Sequence, residues 1–216
     1  ILPQRQTAVV AKQAATLDFL SGGRLRLGIG VGWNDVEYEA LGADFTVRGK
    51  RSEEQIELLR RLWTEPLVTF HGKWDRITDA GINPLPKQRP IPIWIGGHKD
   101  IAVRRAARIA DGWLPLFPPS ERGAAKVAQF KQYCADAGRD MADIGIESWI
   151  NVGGYDDGFG DQCQSEESWH EWAGGWKTLG ATHMSVNTMK SGYTSIDQHI
   201  EKLAQFMSVM SGLQGS

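Results

Sequence analysis

The chain has 216 residues, a net charge of −2 and 23% charged residues, so nothing in it offers a basic footprint for nucleic acid. Its 41% hydrophobic content is that of an ordinary globular domain with a sizeable core. No apolar run approaches the roughly 18 residues of a membrane span, and no basic stretch leads into an apolar segment as in a signal peptide. Cys134 and Cys163 lie far apart with no metal-ligand spacing, the pattern of two reduced thiols. A cytoplasmic protein without membrane or nucleic-acid partners is therefore expected. The first residue is Ile1, and we expect a piece of a longer protein.

In chain order, residues 7–20 (TAVVAKQAATLDFL) predict a helix with an apolar stripe of Val9, Val10, Ala14, Leu17 and Leu20, stopped by Ser21-Gly22-Gly23. Residues 24–30 (RLRLGIG) predict a strand, 35–41 a short helical turn closed by Gly42, and 51–63 a strong helix. Ser52 is the expected cap of that helix, and Ile56, Leu59, Leu62 and Trp63 its apolar face. Residues 64–89 hold little helix signal. Val68, Phe70 and Trp74 suit a short hairpin around His71-Gly72, while Pro84, Pro86 and Pro90 rule out a central strand. A connection this long is usually functional.

Residues 91–113 (IPIWIGGHKDIAVRRAARIADGW) carry the most information. Ile91, Ile93, Trp94 and Ile95 read as a strand buried on both faces. Gly96-Gly97 then turns the chain, and Asp100 stands where a helix N-cap belongs. Ala102, Val103, Ala106, Ala107, Ile109 and Ala110 recur at helical spacing, with Arg104, Arg105 and Arg108 on the other face, expected as solvated surface or in ion pairs. Further on, strands are expected at 113–117, 144–152 and 182–187. Helices are expected at 121–137, 168–179 and 195–210, and a Gly/Asp-rich loop at 155–165. Five strands, each followed by a helix, imply a parallel sheet.

Two places could hold a ligand. Gly28-Ile29-Gly30-Val31-Gly32-Trp33 fails the dinucleotide fingerprint, because Trp33 stands where the third glycine belongs. A glycine-rich strand end that lets a planar ligand approach the backbone is the preferred reading, and a purely structural turn is the alternative. Gly96-Gly97-His98, between a buried strand and a helix N-terminus, suits an anion held by backbone N–H groups; a ligand-free tight turn is the alternative. His71, His170, His183 and His199 are scattered without metal-ligand spacing, so no metal site is argued. Nothing supports a nucleophile elbow.

Four ordered motifs resemble the luciferase-like monooxygenase superfamily: AAxLDxLSGGRLxLGIGxGW (14–33), EYEALG (37–42), RGKRSEEQIELLRRLWT (48–64) and PxPIWIGG…AxRRAARxADGW (90–113). The match is dense to about Leu116 and looser beyond, through GATHMSVN. The resemblance implies an α/β TIM barrel, with residues 1–216 forming one partial barrel domain of strands four to eight and an insertion at about 64–90. The first three strands would be absent, and with them any catalytic acid or base, so no catalytic residue is assigned. It implies a reduced FMN or coenzyme F420, with the deazaflavin slightly favoured, and a small organic substrate. By that resemblance Gly30, Val31, Gly32 and Trp33 would meet the coenzyme's ring edge, and Gly96, Gly97 and His98 its phosphate. The helix at 7–20 resembles the one at the family's dimer interface, so a homodimer is expected. The rival expectation is a non-catalytic or truncated flavin-binding remnant. An open arc of five strands would expose an edge and an inner face of Leu25, Ile29, Ile93 and Ile95.

Overall fold

The structure is a computed structural model, which describes residues 1–152, 163 and 165–211. Most of the loop expected at 155–165 therefore lies outside the described residues. The chain divides into two compact units, one of residues 1–95 with 109–111, the other of residues 96–108 with 112 onward.

The first unit is built on two helices. α1 (Thr7–Leu20) has the expected bounds, but of the expected face only Ala14 is buried. Its buried positions are Thr7, Ala11, Ala14, Ala15 and Asp18, whereas Val9, Leu17, Phe19 and Leu20 are exposed. Close packing selects the small residues. The indole Nε1 of Trp63, on α3 (Arg48–Thr64), donates to the Ala11 carbonyl at 3.0 Å, and Gln55 Nε2 donates to Thr7 Oγ1 at 3.0 Å. Larger side chains on that side would hold the helices apart.

Asp18 is fully buried, and it ties three segments together. Its carboxylate accepts from the backbone N–H of Leu25 and Gln88 and from the Gln88 side chain. Burial alone would raise its pKa; the donors outweigh that and hold it below the usual value. The apolar face expected of α3 is buried as read, at Ile56, Leu59, Leu62 and Trp63. The cap is not: the helix begins three residues earlier, and the Ser52 hydroxyl donates to the Gly49 carbonyl from inside it.

β1 (Leu27–Ile29) is followed by α2 (Asp35–Ala40), whose N-cap Asn34 accepts from Val36 N–H. β2 (Val68–His71) and β3 (Arg76–Ala80) form the expected antiparallel hairpin. Glu54 holds its turn to α3 by accepting from the N–H groups of Lys73, Trp74 and Asp75. β1 pairs in parallel with β4 (Ile93–Gly96), with Leu27 opposite Ile93 and Ile29 opposite Ile95. Ile93 and Ile95 are buried, against the expectation of an exposed inner face, while Leu25 and Ile29 are half-buried. Asp111 explains part of this order. Its carboxylate accepts from Ile93 N–H at 2.7 Å and pairs with Arg60 at 3.0 Å.

The second unit alternates helix and strand: α4 (Asp100–Ile109), β5 (Gly112–Leu114), α5 (Glu121–Asp136), β6 (Gly145–Asn151), α6 (Glu166–Leu179), β7 (His183–Asn187) and α7 (Ile196–Met210). β6 pairs in parallel with β5 on one side and β7 on the other. Serines start three helices: Ser120, Ser165 and Ser195 each accept from a backbone N–H of the first turn. Between sheet and helices lies an aromatic core. Trp113 stacks on Phe130 at 4.5 Å, Phe117 meets Trp176 at 5.6 Å, and Trp169 meets Phe206 at 5.3 Å.

Two expectations for α4 are corrected. Asp100 is its first residue, not its cap, and its carboxylate accepts from Arg104 Nε at 2.7 Å and the Tyr133 hydroxyl at 2.6 Å. Arg105 is buried, because the core-facing stripe of so short a helix is wider than its alanines alone. The strands are one to four residues shorter than read, since extended flanks outrun the paired ladder.

Candidate functional site

The turn after β1, in the first unit, is closed by the chain's own groups. Gly30 accepts from Leu2 N–H, and a Cβ placed on Gly32 would stand 3.1 Å from the Ile1 side chain. The Val31 carbonyl accepts from the Tyr38 hydroxyl at 2.6 Å, and the Gly32 carbonyl from Arg48 Nε at 3.3 Å. Tyr38 is fully buried; burial pushes its pKa up, so it stays a neutral donor. Arg48 lies on the Phe45 ring at 3.7 Å, and Phe45 meets Tyr38 edge-on. Gly32 needs its φ of +71° to turn the chain. Trp33 is 85% exposed. Next to the turn, Ile1, Leu2, Val10, Leu17, Leu25 and Leu27 line an apolar hollow of about 220 Å³.

The turn after β4, in the second unit, opens onto a pocket instead. Gly97 has φ +143°, and a Cβ there would lie 2.9 Å from the Ala102 Cβ, so the turn tolerates glycine alone without strain. Its N–H donates to the Leu114 carbonyl at 3.2 Å, and its carbonyl accepts from Trp113 Nε1 at 2.9 Å. The Gly97 N–H is thus taken up by β5. Any backbone donor to a ligand must come from a later residue of the turn or from the very start of α4, since the N–H groups of Ala102 and Val103 already donate to the Lys99 carbonyl.

His98 lines a cavity of about 380 Å³ together with Lys99, Phe117, Ser120, Arg122 and Lys126. Four of these are basic, and none of the described residues lining the cavity is acidic. Burial, and then the charges of Lys99 and Lys126, hold the His98 ring below its usual pKa. Asp100, on the adjoining first turn, is occupied by Arg104 and Tyr133. Gly123, also in the wall, lets α5 start tightly: a Cβ there would stand 2.3 Å from the Pro118 carbonyl oxygen.

Lys99, Arg122 and Lys126 were not singled out from the sequence. The last two sit on α5, more than twenty residues past the turn, and only the fold brings them to it. A second feature had a legible signal. Alternation along β6 puts Glu147, Trp149 and Asn151 on one face, and two polar residues in a buried strand ask for partners. Glu147 accepts from the Ser185 hydroxyl, and Asn151 Oδ1 accepts from Asn187 Nδ2 at 2.8 Å. Among the described residues no three of His, Cys, Asp or Glu gather as metal ligands, and no helix is long and apolar enough to cross a membrane.

Parallel strands each followed by a helix make this an α/β fold, with a pocket lined by basic residues beyond the C-terminal end of one strand. The chain belongs to the luciferase-like monooxygenase family, whose model matches residues 1–152. An FMNH2-dependent dimethylsulfone monooxygenase of Pseudomonas putida is 33% identical over 147 residues, which are 66% of this chain and 40% of that protein. An F420-dependent glucose-6-phosphate dehydrogenase of Intrasporangium calvum is 41% identical over 112 residues, 50% of this chain and 33% of that protein. The chain spans less than half the length of the curated relatives it matches. Among solved structures, the coenzyme F420 dependent tetrahydromethanopterin reductase of Methanopyrus kandleri superposes with a TM-score of 0.72. That likeness covers 94% of this chain and 78% of that one at 18% identity, and it speaks for the fold.

Proposed function

We propose that this chain is the coenzyme-binding part of an oxidoreductase or monooxygenase that uses reduced FMN or coenzyme F420 on a small organic substrate, within a luciferase-type TIM barrel whose first three strands lie outside residues 1–216. Family membership and relatives of both coenzyme types support the reaction class. The observation that carries the site is the pocket that begins at His98, just after a turn that only glycine fits, and that gathers four basic side chains beside a helix N-terminus. These residues fit a coenzyme phosphate: the basic side chains that line the cavity match a phosphate's charge.

His98, Lys99, Arg122 and Lys126 would hold the phosphate. A bound reduced flavin or deazaflavin would supply the hydride or the electrons that reduce dioxygen. The chain's own residues bind, orient and exclude water. Gly30, Val31, Gly32 and Trp33 are proposed for the ring edge, with the exposed indole of Trp33 as the group free to reach a ligand. The acid or base is proposed to lie outside residues 1–216.

The full-length protein is also proposed to be a homodimer through α1, whose exposed Leu17, Phe19 and Leu20 are costly to leave in water. A monomer at micromolar concentration in sedimentation would overturn that part. The experiment for the whole reading is a spectral titration of the full-length protein with FMN and with F420. Saturable binding of at least one is expected. Binding of neither would leave the family fold without its coenzyme and favour the non-catalytic remnant.

A further inference from the structure

The orientation of the Gly97–His98 peptide matters to anion binding, because a flipped peptide would present a carbonyl where a donor is needed. A trans peptide is planar, with its carbonyl and N–H pointing opposite ways. A flip about this bond would turn the Gly97 oxygen, with its partial negative charge, through half a turn. A glycine at φ +143° resists such a flip poorly, since it lacks the Cβ that restricts other residues. A contact outside the turn must then choose the orientation.

The structure provides one. Trp113 is fully buried on β5, with its ring stacked on Phe130 of α5 at 4.5 Å and tilted against Phe117 at 5.7 Å. Packing on two sides leaves the indole little freedom. Its Nε1–H donates to the Gly97 carbonyl oxygen at 2.9 Å. The Gly97 N–H donates in turn to the Leu114 carbonyl, so both polar groups of this glycine are anchored on consecutive residues of β5. The neighbouring residue, His98, lines the cationic pocket.

We propose that Trp113 is a positioning residue for anion recognition: its indole N–H holds the Gly97 carbonyl away from the pocket and fixes the orientation in which the turn accepts a phosphate. The residue touches no ligand itself and acts through Gly97. This rests on the phosphate reading of the pocket given above.

The test replaces Trp113 in the full-length protein with benzothienylalanine, which keeps the ring shape and puts sulfur in place of the N–H. Trp113→Phe serves as a second variant. Affinity is measured for FMN against riboflavin, and for F420 against its phosphate-free chromophore. The readout is the phosphate advantage, the ratio of the two dissociation constants in a pair. The loss of one neutral hydrogen bond should reduce that advantage about three- to tenfold, while phosphate-free affinity moves less than about twofold. A merely structural role would weaken both members of a pair alike, and that result, or an unchanged advantage, overturns the proposal. If the unmodified protein shows no phosphate advantage in either pair, the phosphate reading itself falls, which is a different failure.

Discussion

Two glycine turns follow two paired parallel strands, and in sequence they look alike. Gly30–Gly32 follows β1 and Gly96–Gly97 follows β4. At the first, the protein fills the space that the glycines leave: Ile1 packs on them, and Tyr38 and Arg48 occupy the carbonyls of Val31 and Gly32. At the second, the backbone is tied down from behind by β5, and the front opens onto basic side chains. A glycine shows where a backbone can be approached closely. What approaches is decided by groups far away in sequence.

The sharpest way to break this contrast is Gly97→Ala. The new Cβ meets Ala102 at 2.9 Å in a backbone region that L residues avoid, so phosphate-bearing coenzyme should bind at least about tenfold more weakly. Affinity for the phosphate-free analogue should change much less. Adding Ala102→Gly removes the clash but not the φ penalty, and should restore binding only in part. Calorimetric titration of both variants reads these effects.

Lys126→Met should cost about three- to tenfold in FMN or F420 affinity and flatten its dependence on salt, as expected for one lost charge–phosphate contact at a partly exposed site. A salt series of binding isotherms checks it. His98 predicts a smaller effect of known sign. Burial and the nearby lysines depress its pKa in the free protein, and a bound phosphate would raise it again. Binding then takes up a proton, so phosphate affinity should rise as pH falls through the range just below an ordinary imidazole. His98→Asn should remove that slope in a pH series.

Tyr38→Phe should leave the phosphate advantage unchanged. It should lower stability by about 1 kcal/mol, because it removes the hydroxyl that satisfies Val31. Denaturant unfolding beside the same titrations separates the two turns: one variant changes stability, the other recognition.

Much of the fold was legible from pattern alone. The bounds of α1, the apolar face of α3, the hairpin at His71-Gly72 and the order of strands and helices followed from helical spacing, alternation and turn residues. The buried side of α1 did so only at Ala14, because a ranking by hydrophobicity favours Val9, Leu17 and Leu20, while the close approach of α3 favours Ala11 and Ala15 as well. Asp100 looked like a cap because caps and first-turn acids share the same residue types, and its partner Tyr133 is on another helix. Within the second unit the same limit applies to the pocket. Gly97 and His98 announce a turn at a helix start, but Trp113, Arg122 and Lys126 join it only through β5 and α5.

The central claim is that the turn after β4 is where the coenzyme's phosphate rests. A crystal structure of the full-length protein with FMN or F420 tests it most directly. The account predicts the phosphate in the pocket of His98, Arg122 and Lys126, within about 3.2 Å of a backbone N–H at the start of α4, with the Gly97 carbonyl still on Trp113. A coenzyme whose phosphate lies elsewhere, with this pocket holding only solvent, would contradict it.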